Sequence, residues 1–184
     1  IDQDGFEEIY FLNTDTYSGE KKYSDRLIDK SSTGFIDLFE KEINKKNLNL
    51  TAGRSVVCVD RKGDGKYGIY VSNYGGPSRL YELQDGLLMD AAPYVGSNLT
   101  TGGRSFVSGH ILSRRMDIFA GNERGPNLLF TNKNGMFEQK SVEYGIDDTL
   151  QNARGAALAD ILYIGTLDII VRNWNLFHRM SVKK

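Results

Sequence analysis

A chain of 184 residues is long enough to bury one substantial core, and its 40% apolar and 26% charged content is that of an ordinary globular protein. The net charge of −1 intersperses Lys and Arg with Asp and Glu, which argues against a nucleic-acid partner or an anionic membrane surface. No stretch approaches the roughly 18 uninterrupted apolar residues of a spanning helix, and the opening Ile1-Asp2-Gln3-Asp4 has neither the basic nor the apolar region of a secretory leader.

Arg54, Arg104 and Arg154 recur at fifty-residue intervals, inside G-R-S-V-V, G-R-S-F-V and A-R-G-A-A. A fixed period of this size marks stacked supersecondary units. The chain opens inside one of them. Setting Asp4-Gly5 on Asp64-Gly65 places Ile9-Tyr10 on Ile69-Tyr70, so a first strand is expected before residue 1, as in a fragment of a longer protein. Residues 26–28 and 35–39 then pair as a hairpin about the Ser31-Ser32-Thr33-Gly34 turn, and residues 37–47 have the composition of a short helix between units.

The second unit runs from an apolar strand at 56–59 through the Asp64-Gly65 loop to strands at 67–71, 79–83 and 87–89, the last two joined by Gln84-Asp85-Gly86. The third repeats that order at 117–119, 127–131 and 136–139. Its Asn134-Gly135 turn is the strongest short-range hairpin signal, because both central residues of a type I′ turn need positive φ. The fourth unit supplies strands at 156–159 and 168–171, Asn173-Trp174-Asn175 and His178-Arg179-Met180, and ends near its third strand.

Four short antiparallel strands per unit predict an all-β chain, a partial β-propeller of about three and a half four-stranded blades in one domain. The units span approximately 1–48, 49–98, 99–149 and 150–184. A β-solenoid is the main rival, but its coils are usually shorter and lack the Asn-Gly hairpin.

The loops after the first strands carry the candidate chemistry. Calcium takes six to eight oxygen ligands, and a nine-position loop supplies them from positions 1, 3, 5 and 9 around a glycine at 6. In the first unit Asp2, Asp4, Gly5 and Glu8 occupy positions 3, 5, 6 and 9, a strong match. The second keeps Asp60 and Asp64 but has Lys62 and Gly68 at the other ligand positions, so binding there is expected to be weak or absent. The third has His110, Arg114, Arg115 and Asp117, where an arginine is expected to replace the ion beside Asp117. The fourth keeps Asp160, Gly165 and Asp168, with Leu162 and Ile164 between them.

Arg54, Arg104 and Arg154, if on the innermost strands, could form a channel ring that binds an anion; the plainer alternative is pairing with groups of the neighbouring unit. Cys58 lies in an apolar run and is expected to be a buried structural thiol. Two Asn-Leu-Thr sequons, at Asn49 and Asn98, precede the repeat arginines by five and six residues and are expected to be surface glycosylation sites. His110 and His178 have no metal-ligand spacing, and no nucleophile-base arrangement is legible, so the chain reads as non-enzymatic.

D-x-D-G-x-x-E-I-Y at the start and N-x-L-F-x-N-x-x-G-x-F from Asn127 resemble the FG-GAP or VCBS repeat of integrin-α-like propellers. The fuller run G-R-S-V-V-C-V-D-R-K-G, with Gly125-Pro126-Asn127, Ala153-Arg154-Gly155 and Asn173-Trp174-Asn175, more closely resembles the cartilage acidic protein 1 family, whose propeller precedes an ASPIC/UnbV segment. That resemblance implies a secreted, glycosylated, calcium-binding protein of the extracellular matrix with an extracellular or cell-surface protein partner. Tyr74, Arg124 and Trp174 are candidate partner contacts, with Trp174 expected mainly to pack between units. An adhesion-receptor ectodomain and a propeller-scaffold enzyme, such as a lyase or quinone-dependent oxidoreductase, are the alternative functions.

Overall fold

Short β-branched and aromatic runs separated by glycine turns assemble four antiparallel sheets in the computed structural model, which describes residues 1–174 and 180–183. The first sheet orders β1 (Ile9–Phe11), β2 (Arg26–Ser31) and β3 (Gly34–Asp37). The second runs β4 (Gly53–Val59), β5 (Gly68–Asn73), β6 (Arg79–Gln84) and β7 (Leu87–Asp90). The third runs β8 (Gly103–Gly109), β9 (Asp117–Asn122), β10 (Leu128–Lys133) and β11 (Met136–Gln139). The fourth contains β12 (Ala153–Ala159), β13 (Asp168–Asn173) and β14 (Met180–Lys183). Every sheet is a meander, so each strand pairs with its sequence neighbour. The all-β expectation is met. Asn175, His178 and Arg179 lie outside the described residues.

The hairpins have the predicted turn chemistry. Asn134 and Gly135 adopt φ of 55° and 87°, and Asp85 and Gly86 adopt 50° and 82°, which gives the twist that two-residue β-hairpins require. Residues 37–47, expected to be a short helix, instead form two 3-10 segments, Leu38–Glu40 and Glu42–Asn47, the first capped by the Asp37 carboxylate on the Phe39 N–H. A four-residue helix, α1 (Ala92–Val95), with Pro93 in its first turn, follows β7.

The sheets share cores by strand alternation. On β5, Tyr70 faces a cluster with Phe106, Ile118 and Phe130 from the third sheet, while Ile69 and Val71 face one with Leu27, Leu38 and Phe39 from the first unit. On β9, Ile118 and Ala120 look one way, and Phe119 looks the other toward Leu129, Ala153 and Val171. All six residues of β5 and of β9 are consequently buried. A strand with an apolar neighbour on both faces needs hydrophobic residues at consecutive positions, which explains the unbroken runs in the sequence.

The first strands of successive sheets lie side by side, β4 against β8 and β8 against β12. Ser55 Oγ accepts from the Phe106 N–H at 2.9 Å, and Ser105 Oγ accepts from the Ala156 N–H at 2.9 Å, so a serine of the second unit and one of the third stitch their strands to the next. Gly103 fits where a Cβ would come within 2.7 Å of the Phe106 ring and 2.9 Å of Ser72 Cβ. Cys58, expected in the core, is exposed on β4; partial burial of the thiol still pushes its pKa up. The alternation that buries Val59 turns Cys58 outward.

Candidate functional site

The first acidic loop precedes β1. Asp2 Oδ1 accepts from the Asp4 N–H at 3.0 Å and Asp4 Oδ1 from the Phe6 N–H at 2.8 Å, so each carboxylate closes a local turn. The β1–β2 pairing sets Ile9 opposite Ile28, which carries the next residue of β2, Asp29, to the side of the loop. One carboxylate oxygen from each of Asp2, Asp4 and Asp29 lies within 4.8 Å of the others. That is the span that two oxygens at roughly 2.4 Å from a shared calcium ion can cover. Asp29 Oδ1 is buried without a hydrogen-bond partner. Its burial, followed by the charges of Asp2, Asp4 and Glu8, pushes the Asp29 pKa above the usual carboxylate value.

Glu8, assigned by loop spacing to the same site, stands elsewhere. Its Oε1 accepts from the Asp2 N–H at 3.2 Å. The third carboxylate beside Asp2 and Asp4 is Asp29. Only the strand pairing could have revealed it.

The other loops close on their own aspartates. Asp60 accepts from the N–H groups of Gly63, Asp64 and Gly65 at 2.7, 3.2 and 2.9 Å, and Asp64 accepts from Lys66 at 3.0 Å. Burial tends to raise the Asp60 pKa, but the backbone donors of Gly65, Gly63, Asp64 and Lys62 together outweigh it and hold the pKa below the usual range. Asp160 likewise accepts from Ile164 and Gly165 at 3.0 and 2.8 Å, and Asp168 from Ile161 at 3.1 Å. In the third loop the expected arginine on Asp117 is replaced by peptide groups. The buried Asp117 carboxylate accepts from the N–H of Leu112, Ser113 and Asn132 at 2.7, 2.8 and 2.7 Å. Three aligned N–H dipoles supply the positive potential that either cation would have given.

The second loop also holds the third sheet. Arg61 forks onto Glu82 through Nε at 2.6 Å and Nη2 at 2.8 Å, and its Nη1 donates to the Gly135 carbonyl at 2.8 Å. In the fourth loop Ile161, Leu162, Tyr163 and Ile164 are all exposed.

Arg54, Arg104 and Arg154 each sit on a β-bulge. Gly53 pairs with Asn73 while Ser55 pairs with Ser72, and the same shift recurs at 103/105 and 153/155. Each arginine is thus the extra residue of its strand, and a bulge re-aims such a side chain. Arg104 donates to Glu123 through Nε at 2.5 Å and also through Nη2, while Arg154 Nη2 reaches the other Glu123 oxygen at 2.8 Å. Arg104 and Arg154 thus follow the plainer alternative to a channel ring: they share a carboxylate of the chain itself, which for Arg154 belongs to the neighbouring unit. Arg154 also lies 4.9 Å from the Trp174 ring. Trp174 is 59% exposed. Arg124 is exposed and Tyr74 half-buried.

The two sequons differ. Asn98 is exposed. Asn49 is 0% exposed, and its Nδ2 donates to Asp25 at 2.6 Å and to Asn73 at 3.0 Å. Asp25 also accepts from the Tyr10 hydroxyl, the Asn13 N–H and the Lys21 ammonium, so Asn49 belongs to a buried polar network joining the first two units. The expectation of a surface glycan on Asn49 is corrected, because both hydrogens of the accepting nitrogen are engaged inside the fold.

No protein-family profile matches the chain. The chain is similar to Cartilage acidic protein 1 of Xenopus tropicalis at 43% identity, of Homo sapiens at 44% and of Mus musculus at 43%, over 100% of its own length each time. It covers 31%, 30% and 31% of those proteins, so it spans about a third of the length of the curated relatives it matches. The likeness to these proteins runs along the whole chain.

Proposed function

We propose that the chain is a non-enzymatic, calcium-binding module of a secreted extracellular-matrix glycoprotein of the cartilage acidic protein 1 kind, and that its exposed turns contact an extracellular or cell-surface protein. The relatives' name, with 43–44% identity along the whole chain, supports the matrix setting. No helix among the described residues is long and apolar enough to cross a membrane. The side-by-side first strands and the cores shared between neighbouring sheets favour reading the four sheets as consecutive FG-GAP-like blades of a propeller.

The observation that carries the calcium assignment is the buried, unpartnered Asp29 oxygen beside Asp2 and Asp4. Three carboxylates this close repel one another, and a hard divalent cation is the partner that relieves both the repulsion and the orphaned oxygen. Asp2 and Asp4 come from a loop and Asp29 from β2, so the bound ion would tie the loop to the sheet. The loops at Asp60, Asp117 and Asp160 are already held by backbone donors, and the role assigned to them is structural.

Calorimetric titration with calcium tests the assignment. The wild-type chain is expected to bind with an affinity of about 0.1–1 mM, ordinary for an extracellular site. Asp4→Ala and Asp29→Asn are each expected to lose the heat of binding. Calcium uptake unchanged in both variants would refute the site.

A further inference from the structure

Tyr74 follows Asn73, and Glu123 follows Asn122, at matching positions in the repeat. In the third unit this residue is a carboxylate, and Glu123, 6% exposed, holds Arg104 and Arg154 together. One joint earlier, between Arg54 and Arg104, the matching residue is a tyrosine, which brings no negative charge. The Arg54 guanidinium carbon lies 5.0 Å from the Tyr17 ring centroid and 5.4 Å from that of Tyr74, while Arg104 lies 5.9 and 5.8 Å from the same rings. Arg54 Nη2 donates to the Tyr17 carbonyl, and its Nε–H is buried without a partner. Among the described residues no carboxylate forms an ion pair with Arg54, whereas both other repeat arginines have Glu123. Burial, and then the nearby charge of Arg104, hold the Arg54 pKa below its ordinary value.

We propose that Arg54 and Arg104, framed by Tyr17 and Tyr74, bind a carboxylate supplied from outside the chain, as Glu123 is bound between Arg104 and Arg154. The chemical class follows from the chain's own neighbouring joint: the same bulged arginines one unit on are bridged by one carboxylate. Guanidinium forks match that group in shape as well as charge. The rings lie beside both guanidinium groups without supplying a countercharge, and Arg54 and Arg104 are each half-buried rather than enclosed. Both a free organic carboxylate and an acidic side chain of a protein partner carry the required group. The proposal does not depend on calcium binding.

The test follows the Arg54 side-chain Nε–H resonance of the whole chain by NMR, with a chelator present, assigned by its loss in Arg54→Lys. Acetate and a short blocked peptide containing one Glu are titrated separately, with sodium chloride as the ionic-strength control. Saturable movement with acetate and peptide alike assigns the site to any carboxylate, and saturation by the peptide at lower concentration assigns it to acidic side chains of a protein. Arg54→Lys is expected to weaken acetate binding about tenfold, followed on the Arg104 Nε–H, because one charge-assisted fork is lost. Tyr74→Glu, which copies the Glu123 joint, is expected to abolish the response and raise the unfolding midpoint. A wild-type Arg54 signal that moves with neither ligand, or equally with chloride, overturns the proposal. So does an unchanged acetate response in a folded Tyr74→Glu chain.

Discussion

The Glu123 carboxylate accepts a hydrogen bond from Arg154 Nη2 at 2.8 Å, bridging the third and fourth sheets. Its other oxygen holds Arg104 of its own sheet, so one buried acid ties two bulged repeat positions together. Removing one member of a buried ionic group leaves the rest desolvated and unpaired, at a cost of several kcal/mol. The two guanidinium groups are partly exposed, which reduces that cost.

Glu123→Ala is therefore expected to destabilise the chain by about 2–3 kcal/mol in urea denaturation, at low and high salt alike, because the acid itself is shielded. A change below about 0.5 kcal/mol would place it with ordinary surface charges.

Asp29 makes stability depend on pH in a defined direction. Burial and the charges of Asp2, Asp4 and Glu8 raise its folded-state pKa, so the folded chain holds that proton more tightly than the unfolded chain. The resulting cost is absent below the unfolded pKa of roughly 3.9, grows as pH rises through the folded pKa, and is complete above it. In chelator, Asp29→Asn is expected to unfold at a higher denaturant concentration than wild type at pH 7, with the gap closing toward pH 3. Added calcium is expected to reverse the order at pH 7. A wild-type chain that is the more stable one in chelator at pH 7 would contradict this.

Asp60 titrates in the opposite sense. Burial alone would raise its pKa, but the N–H donors of its loop prevail and lower it. Its stabilising effect is present above the unfolded pKa and lost as pH falls through the depressed folded value. Asp60→Ala is expected to cost about 1–2 kcal/mol at pH 7 and to converge with wild type in strong acid. A loss that persists unchanged into acid would point to packing rather than to the carboxylate.

Mass spectrometry of the secreted chain should find glycan on Asn98 and an unmodified Asn49. The reason is the Asn49 amide, whose Nδ2 is engaged by Asp25 and Asn73 in the interior. A folded chain carrying glycan on Asn49 would refute the placement.

The strands, the hairpin at Asn134-Gly135 and the repeat of the arginines were legible because each depends on local pattern or local backbone geometry. The partners of those arginines were not. Glu123 lies 19 residues after Arg104 and 31 before Arg154. Only strand pairing and the bulges bring the three together. Asp29 escaped for the same reason, since loop spacing favoured Glu8 while the β1–β2 register delivered the third carboxylate from another strand. The backbone donors on Asp117 have no signature in side-chain identity, so the nearby arginines are the only partners that the residue types suggest. The exposed residues 161–164, with Tyr163 at 93% exposure, have no physical explanation in the structure.

Asp2, Asp4 and Asp29 form the proposed calcium site. Its most direct measurement is calcium calorimetry of wild type beside Asp29→Asn, with Glu8→Gln as the contrast. Binding by wild type and by Glu8→Gln, with loss in Asp29→Asn, is the predicted result. Loss in Glu8→Gln with full binding in Asp29→Asn would return the site to the loop spacing and contradict the assignment.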